Sequence, residues 1–378
     1  MEISVLKKDL LKIVTRMQGV AERKSSMPAL SNVLLVVEEK TLRVSATDLY
    51  LSISGQIPAE IKKKGTIAIP AKDLLERVRM MPEGQIMITA QENAQTVLKS
   101  SASARRYTLR GMPGEEFPQL PQPGADATSM SIAIPVVQDL IAKTYFSIST
   151  DETRPNLNSA LLEWEGEVVR MVSTDGHRLS KMEKAVDGKN ANQTLLIPLK
   201  AVLELRRMCD EMMAEAPKDG KDAPLLQITR SGPNAFFHAG NTTFAVKLVD
   251  SSFPRYSDVI PKKSERSIRI PRAAFADALK AVSIAANERT GGVKLAIGAG
   301  TMRITSESPD SGDGFDEIPV DYNGAALTIG FNAKYFLDLL GSLHDEEVVL
   351  LLSGELDPAV VRPGNEKEFL GVVMPMRI

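Results

Sequence analysis

Cysteine is almost absent from this chain of 378 residues: Cys209 stands alone. A single thiol allows no internal disulfide and no cysteine-rich zinc site. Histidine is nearly as scarce, and His177, His238 and His344 lie too far apart to pair at metal-ligand spacing. There is no Gly-Lys-Ser/Thr phosphate loop and no Gly-x-Gly-x-x-Gly run after a strand, so the usual nucleotide sites are excluded. Residues 1–8 carry no secretory apolar stretch, and no apolar run reaches membrane-spanning length. The expectation is a cytoplasmic protein with no cofactor and no metal. Aromatics make up only 5% and the formal net charge is −2, so neither marks a nucleic-acid binder.

What is present is repetition. Ile69-Pro70-Ala71-Lys72 returns as Ile197-Pro198-Leu199-Lys200, and Ile329-Gly330-Phe331-Asn332-Ala333-Lys334 keeps the rhythm with Gly in place of Pro. Leu42-Arg43-Val44-Ser45-Ala46-Thr47-Asp48 is matched by Val169-Arg170-Met171-Val172-Ser173-Thr174-Asp175 and by Met302-Arg303-Ile304-Thr305-Ser306. The copies lie roughly 130 residues apart, far beyond the period of solenoids or propellers and equal to a whole domain. Three domains in series follow, at 1–126, 127–258 and 259–378. The Pro/Gly-rich stretch 119–126 and the segment 261–266 read as linkers, and residues 209–224 read as an insertion without counterpart: a helix extension and a solvated loop.

Within each repeat, short amphipathic segments alternate with period-two runs such as Gln85-Ile86-Met87-Ile88-Thr89. Helices are expected at 6–17, 71–81, 135–144, 199–208, 272–281 and 333–343. Four have proline near their start (Pro70, Pro135, Pro198, Pro271), which suits the first helical position because its missing N–H has no partner there. Two short helices packed on antiparallel sheet in each repeat make an α+β class.

Charge is distributed unevenly. The six helix segments carry a basic excess, and the remainder is correspondingly acidic. On the first, Leu6, Leu10, Ile13 and Met17 form an apolar stripe, with Lys8, Lys12 and Arg16 opposite. Lysine and arginine favour any solvated helix face. Six homologous faces converging on one side would instead form a cationic lining that attracts phosphates without reading bases.

Catalytic candidates are few. Thr174-Asp175-Gly176-His177-Arg178-Leu179 offers an Asp/His pair suited to acid–base work, as in a DNA-modifying hydrolase. The first repeat has Thr47-Asp48-Leu49-Tyr50 there, without histidine, and Asp-Gly is an ordinary turn signal. The acidic run 310–317 lacks the spacing of a calcium loop and reads as an exposed acidic loop. A repeat scaffold with no role on DNA is the other alternative.

The three tandem repeats, the Thr174–Leu179 stretch, Leu30-Ser31-Asn32-Val33-Leu34-Leu35 and the closing Val372-Val373-Met374-Pro375-Met376-Arg377-Ile378 together resemble the bacterial DNA polymerase III beta subunit, the beta sliding clamp family, from end to end. The resemblance implies a non-catalytic processivity factor: a head-to-tail homodimer forming a ring around duplex DNA of any sequence. It implies one peptide groove per subunit for the replicative polymerase catalytic subunit, the clamp loader, repair polymerases and other proteins carrying a clamp-binding motif. The groove residues carried over are Leu157, Thr174, Gly176, His177, Arg178, Leu179, Pro254, Val259, Tyr335, Val373, Met374, Pro375, Met376 and Arg377. For DNA they are Lys24, Lys72, Arg79, Arg154 and Lys200. For the dimer contact they are Tyr107 and Leu109 against the partner's Ile284 and Ala285.

Overall fold

A computed structural model describes residues 1–21, 26–216, 223–287, 290–309, 312–365 and 367–378, without the side chains of 187–191. Six α-helices are present among them: α1 (Lys7–Met17), α2 (Ala71–Met80), α3 (Ile134–Ala142), α4 (Leu199–Glu215), α5 (Arg272–Val282) and α6 (Ala333–Gly341). Each expected helix is found within two residues of its bounds except α4, which continues to Glu215.

The proline reading needs correction. Pro70 and Pro271 are N-caps rather than first helical residues, with extended ψ of 119° and 115°. Their fixed φ serves equally well as the last residue of a strand. Pro70 pairs with Asn32, Pro198 with Ser159, and Asn332 with Gly292. Asn332, not Gly330, therefore takes the place of the prolines in the third repeat. Its side chain caps α6 by accepting Lys334 N at 2.9 Å.

The chain divides into two compact units, 1–134 with 207–248, and 135–206 with 249–378. The first holds a five-stranded antiparallel sheet in the order Glu60–Lys63, Glu2–Leu6, Gln85–Ala90, Gln95–Ser100, Arg106–Arg110. Its second sheet has nine strands, joined where Leu51–Pro58 of the first repeat pairs with Thr242–Lys247 of the second. Helices α1 and α2 pack on each other, and both contact strands of this sheet. Leu10, Ile13 and Met17 of the expected stripe are buried, together with Val14, whereas Leu6 precedes the helix and is 41% exposed.

The second unit repeats the scheme. Its six-stranded sheet runs Ser159–Thr174, Arg178–Pro198, Phe369–Val373, Ala359–Pro363, Glu347–Leu352, Arg266–Pro271, and its four-stranded sheet runs Gly312–Pro319, Thr301–Ser308, Gly292–Gly298, Leu327–Asn332. Strand 178–198 of the second repeat pairs with 369–373 of the third from Arg178↔Val373 to Met182↔Phe369. Each large sheet thus spans two sequence repeats, because strand edges exposed by one repeat are paired by the next. One apolar cluster of the six-stranded sheet, centred on Val172, Leu179, Leu196, Val360 and Val372, is covered by Val249, Phe253, Tyr256 and Ile260. Burial of such side chains contributes roughly 1.5–3 kcal/mol each.

Residues 312–317 of the acidic run form an edge strand rather than a loop; Asp310 and Ser311 lie outside the described residues. In the insertion, residues 217–222 also lie outside them. The extended end of α4 meets α1: Arg16 is buried and pairs with Glu211 at 2.6 Å and Glu215 at 3.5 Å, and Lys12 pairs with Glu215 at 2.6 Å. The expected free cationic face of α1 is therefore largely neutralised. Among the described residues of the helices, Lys8, Arg79 and Lys280 are exposed without an acidic partner. Cys209 is buried, and burial pushes its thiol up to about 12, which suits a core residue and not a nucleophile.

Candidate functional site

The turn at the end of strand Ser159–Thr174 builds one wall of an apolar cavity. Asp175 Oδ1 accepts the backbone N–H groups of His177 and Arg178 at 2.9 and 3.0 Å, while Thr174 Oγ1 accepts Gly176 N at 3.1 Å and donates to Arg178 O at 2.6 Å. Gly176 sits at φ 93°, in the left-handed region that glycine adopts without strain. The first repeat builds the same turn around Asp48, but with Leu49 at φ 75° in the glycine position.

Arg178 locks this turn to the third repeat. Its Nε donates to Asp175 Oδ2 at 3.0 Å, Nη1 to Asp338 Oδ2 at 2.7 Å, and Nη2 to Phe146 O. The guanidinium lies 4.7 Å from the Tyr335 ring centroid and 5.7 Å from that of Phe146. His177 lies stacked with the same ring, its centroid 6.4 Å from that of Tyr335 with the planes 12° apart. Burial holds the Tyr335 phenol above its usual range, with the Asp175 carboxylate adding to the effect.

The cavity measures about 190 Å³ and is lined by Leu157, Thr174, Gly176, Arg178, Leu179, Pro254, Arg255, Tyr256, Val259, Val372 and Met374. Eight of the fourteen residues expected at a groove are brought together here. Val373 is not among them: it is fully buried, and period-two alternation turns Val372 toward the cavity instead. His177 and Tyr335 form the stack beside Arg178, and Pro375, Met376 and Arg377 continue past the cavity along the third repeat. Sequence reasoning missed Arg255, Tyr256 and Val372; the run 369–373 is apolar and buried throughout, so no alternation in the sequence marked the last. Tyr256 is fixed by a 2.7 Å hydrogen bond to Glu163 Oε2, and burial together with that carboxylate pushes its phenol up to about 12. A second, open cavity of about 590 Å³ shares Val259 and Met374 and has a rim of mixed charge from Asp258, Lys262, Lys263 and Asp357.

Asp175 and His177 are not arranged as an acid–base pair. The Asp175 carboxylate is occupied by two amides and a guanidinium, and the His177 ring is committed to stacking. Among the described residues no group of three or more His, Cys, Asp or Glu side chains could hold a metal. No helix of the described residues is long and apolar enough to cross a membrane.

Residues expected at other surfaces are distributed as follows. Lys72 is exposed and 3.8 Å from Glu76, Arg79 is exposed, and Arg154 pairs with Asp151 at 2.9 Å. Lys200 is exposed at the start of α4 and has a partner of its own; Lys24 lies outside the described residues. Tyr107 is half-buried and Ile284 is 82% exposed, whereas Leu109 and Ala285 are buried within the chain. Leu109 points inward from its strand, and Ala285 lies beneath Gly314, so neither presents a side chain to a partner.

Fold and site define a class first: an α+β protein of three sequence repeats, with an apolar cavity walled by the Thr174–Leu179 turn. Comparison with known proteins makes this specific. Models of the DNA polymerase III beta subunit match in series, the N-terminal domain over 1–121, the central domain over 131–255 and the C-terminal domain over 257–377. The "Beta sliding clamp" proteins of Pseudomonas aeruginosa and Escherichia coli are 32% and 30% identical to the chain, with full coverage of each. The crystal structure of the Pseudomonas aeruginosa sliding clamp bound to griselimycin superposes with a TM-score of 0.91 at 32% identity, covering all of both chains. The chain belongs to the DNA polymerase III beta subunit family, the bacterial beta sliding clamps.

Proposed function

We propose that this protein is a DNA sliding clamp of the cytoplasm. Two copies close head to tail into a ring around duplex DNA, and the groove tethers the replicative polymerase, the clamp loader and repair proteins through short peptide motifs. The observation that carries this reading is the Arg178-braced apolar cavity, in a chain whose three successive segments each match a clamp domain. Tethering needs no chemistry: a polymerase that lets go of the primer end stays nearby at high effective concentration and rebinds. Domains at 1–126, 127–258 and 259–378 are part of the same proposal.

Two free strand edges support ring closure. Arg106–Arg110 ends the five-stranded sheet and Gly312–Pro319 ends the four-stranded one, each with a single neighbour among the described residues. Arg106 and Arg110 are exposed on the first, Asp313 and Glu317 on the second. A heterologous contact between them joins opposite charges and satisfies unpaired backbone groups. Exposed Ile284 and half-buried Tyr107 supply apolar contact at its margins; Leu109 and Ala285 support it from beneath. Lys24, Lys72, Arg79, Arg154 and Lys200 are proposed to meet DNA phosphates, at sequence-independent and salt-sensitive affinity.

Retention on DNA tests the reading. Protein loaded onto a closed circle is expected to remain there and to leave when the circle is linearised. Equal escape from both forms would refute encirclement.

A further inference from the structure

The third repeat carries a glycine that its backbone does not require. Gly330 lies within strand Leu327–Asn332, outside the left-handed region, as does Gly292 on the neighbouring strand. Glycine inside a strand weakens it and commonly marks a close approach by other atoms. Here the approaching atoms are those of the C-terminal segment. After strand Phe369–Val373, Met374 N donates to His177 O at 2.9 Å and Met376 N donates to Gly330 O at 2.9 Å. The final Ile378 then lies over both glycines. A Cβ at position 330 would stand 2.5 Å from the Met376 carbonyl oxygen and 2.8 Å from Ile378 Cδ1; one at 292 would stand 3.2 Å from that same methyl. The Met376 oxygen is main chain and cannot rotate away, so a side chain at 330 lifts the segment.

Met374 borders the cavity; its own N–H is held by the turn that walls the groove, and the segment that follows it is held outside the groove by the Met376 bond to Gly330. We infer that Gly330 is a positioning residue for the groove: by admitting the C-terminal segment against the sheet, it holds Met374 at the cavity mouth from a site the bound peptide does not touch. This rests on the groove reading above. It also gives the sequence anomaly of the third repeat a cause, since Asn332 does the capping and position 330 is left to serve the strap.

The test uses the full-length protein with fluorescein-labelled griselimycin as probe, together with amide hydrogen exchange. Gly330→Ala is expected to weaken the probe about tenfold, the size of one lost hydrogen bond, and to expose the Met376 amide to exchange. Met376→Pro removes the same N–H from the strap side, leaves the sheet untouched, and should match it even where Gly330→Ala folds poorly. In a chain ending at Met374, adding Gly330→Ala should cause no further loss. An equal loss in the full and shortened chains would show that the glycine acts through the sheet, and would overturn the inference. Unchanged affinity in Gly330→Ala and Met376→Pro, with Val259→Asp at an exposed lining residue abolishing binding, would overturn it while the groove stands. Unchanged affinity in Val259→Asp would instead remove the groove itself, and the positioning role with it.

Discussion

Arg178→Ala is the substitution with the clearest arithmetic. The side chain is only 10% exposed and donates to two carboxylates, Asp175 and Asp338, and to the Phe146 carbonyl, while its plane rests on Tyr335. Removing one member of a buried ion pair costs roughly 3–5 kcal/mol because the other charge is left in a poor solvent. Both carboxylates keep other partners, Lys334 Nζ at 2.7 Å for Asp338 and two backbone amides for Asp175, so the lower end applies, about 3 kcal/mol. The unit concerned has roughly 200 residues, for which each kcal/mol shifts the midpoint by about 2–4 °C. Calorimetry should therefore show the transition of that unit about 6–12 °C lower, with peptide binding lost at temperatures where the rest stays folded. Arg178→Lys should recover only part, since an ammonium serves one carboxylate at a time and cannot stack as a plane. A loss below about 1 kcal/mol, or full recovery by lysine, would refute the bracing role.

Further outcomes can be checked independently. Tyr256 has its phenol pushed up to about 12, above its unfolded range, so the folded state holds the proton longer; stability should fall as pH rises from about 10 to 12, and Tyr256→Phe should flatten that decline in alkaline denaturation curves. Reversing Arg106 and Arg110 to Glu should weaken the dimer roughly tenfold at low salt, with partial recovery on adding Asp313→Lys and Glu317→Lys, measured by sedimentation equilibrium in the ultracentrifuge. Leu49→Gly removes a left-handed leucine whose side chain is 53% exposed, and should change stability by less than about 1 kcal/mol in urea denaturation. A loss above about 2 kcal/mol would mean the side chain is packed against something of consequence. His177→Ala should leave no nucleic-acid turnover to lose, because stacking and not proton transfer is what that ring does.

Much of the architecture was legible in the residues alone. Apolar period and proline placement located the six helices, and recurrence of Ile-Pro-x-Lys and of the Arg43, Arg170 and Arg303 strands revealed three repeats. These are local signals, and local periodicity reports which face of an element is buried. The Thr174–Leu179 turn was equally readable, since Asp-Gly chemistry acts over four residues. Helix charge was readable as composition only. That Arg16 is buried under Glu211 and Glu215 depends on residues almost two hundred positions away.

Tertiary structure alone decided the rest. Only strand pairing across repeats set the register Arg178↔Val373, which turns Val372 into the cavity and Val373 away from it. Only the path of the last five residues shows why position 330 has no side chain, and only the sheet order shows that the acidic run near 313 is an edge strand. A sequence states what each element wants to bury or expose; which distant element satisfies that want is settled by packing in three dimensions, where a shift of one residue exchanges the two faces of a strand.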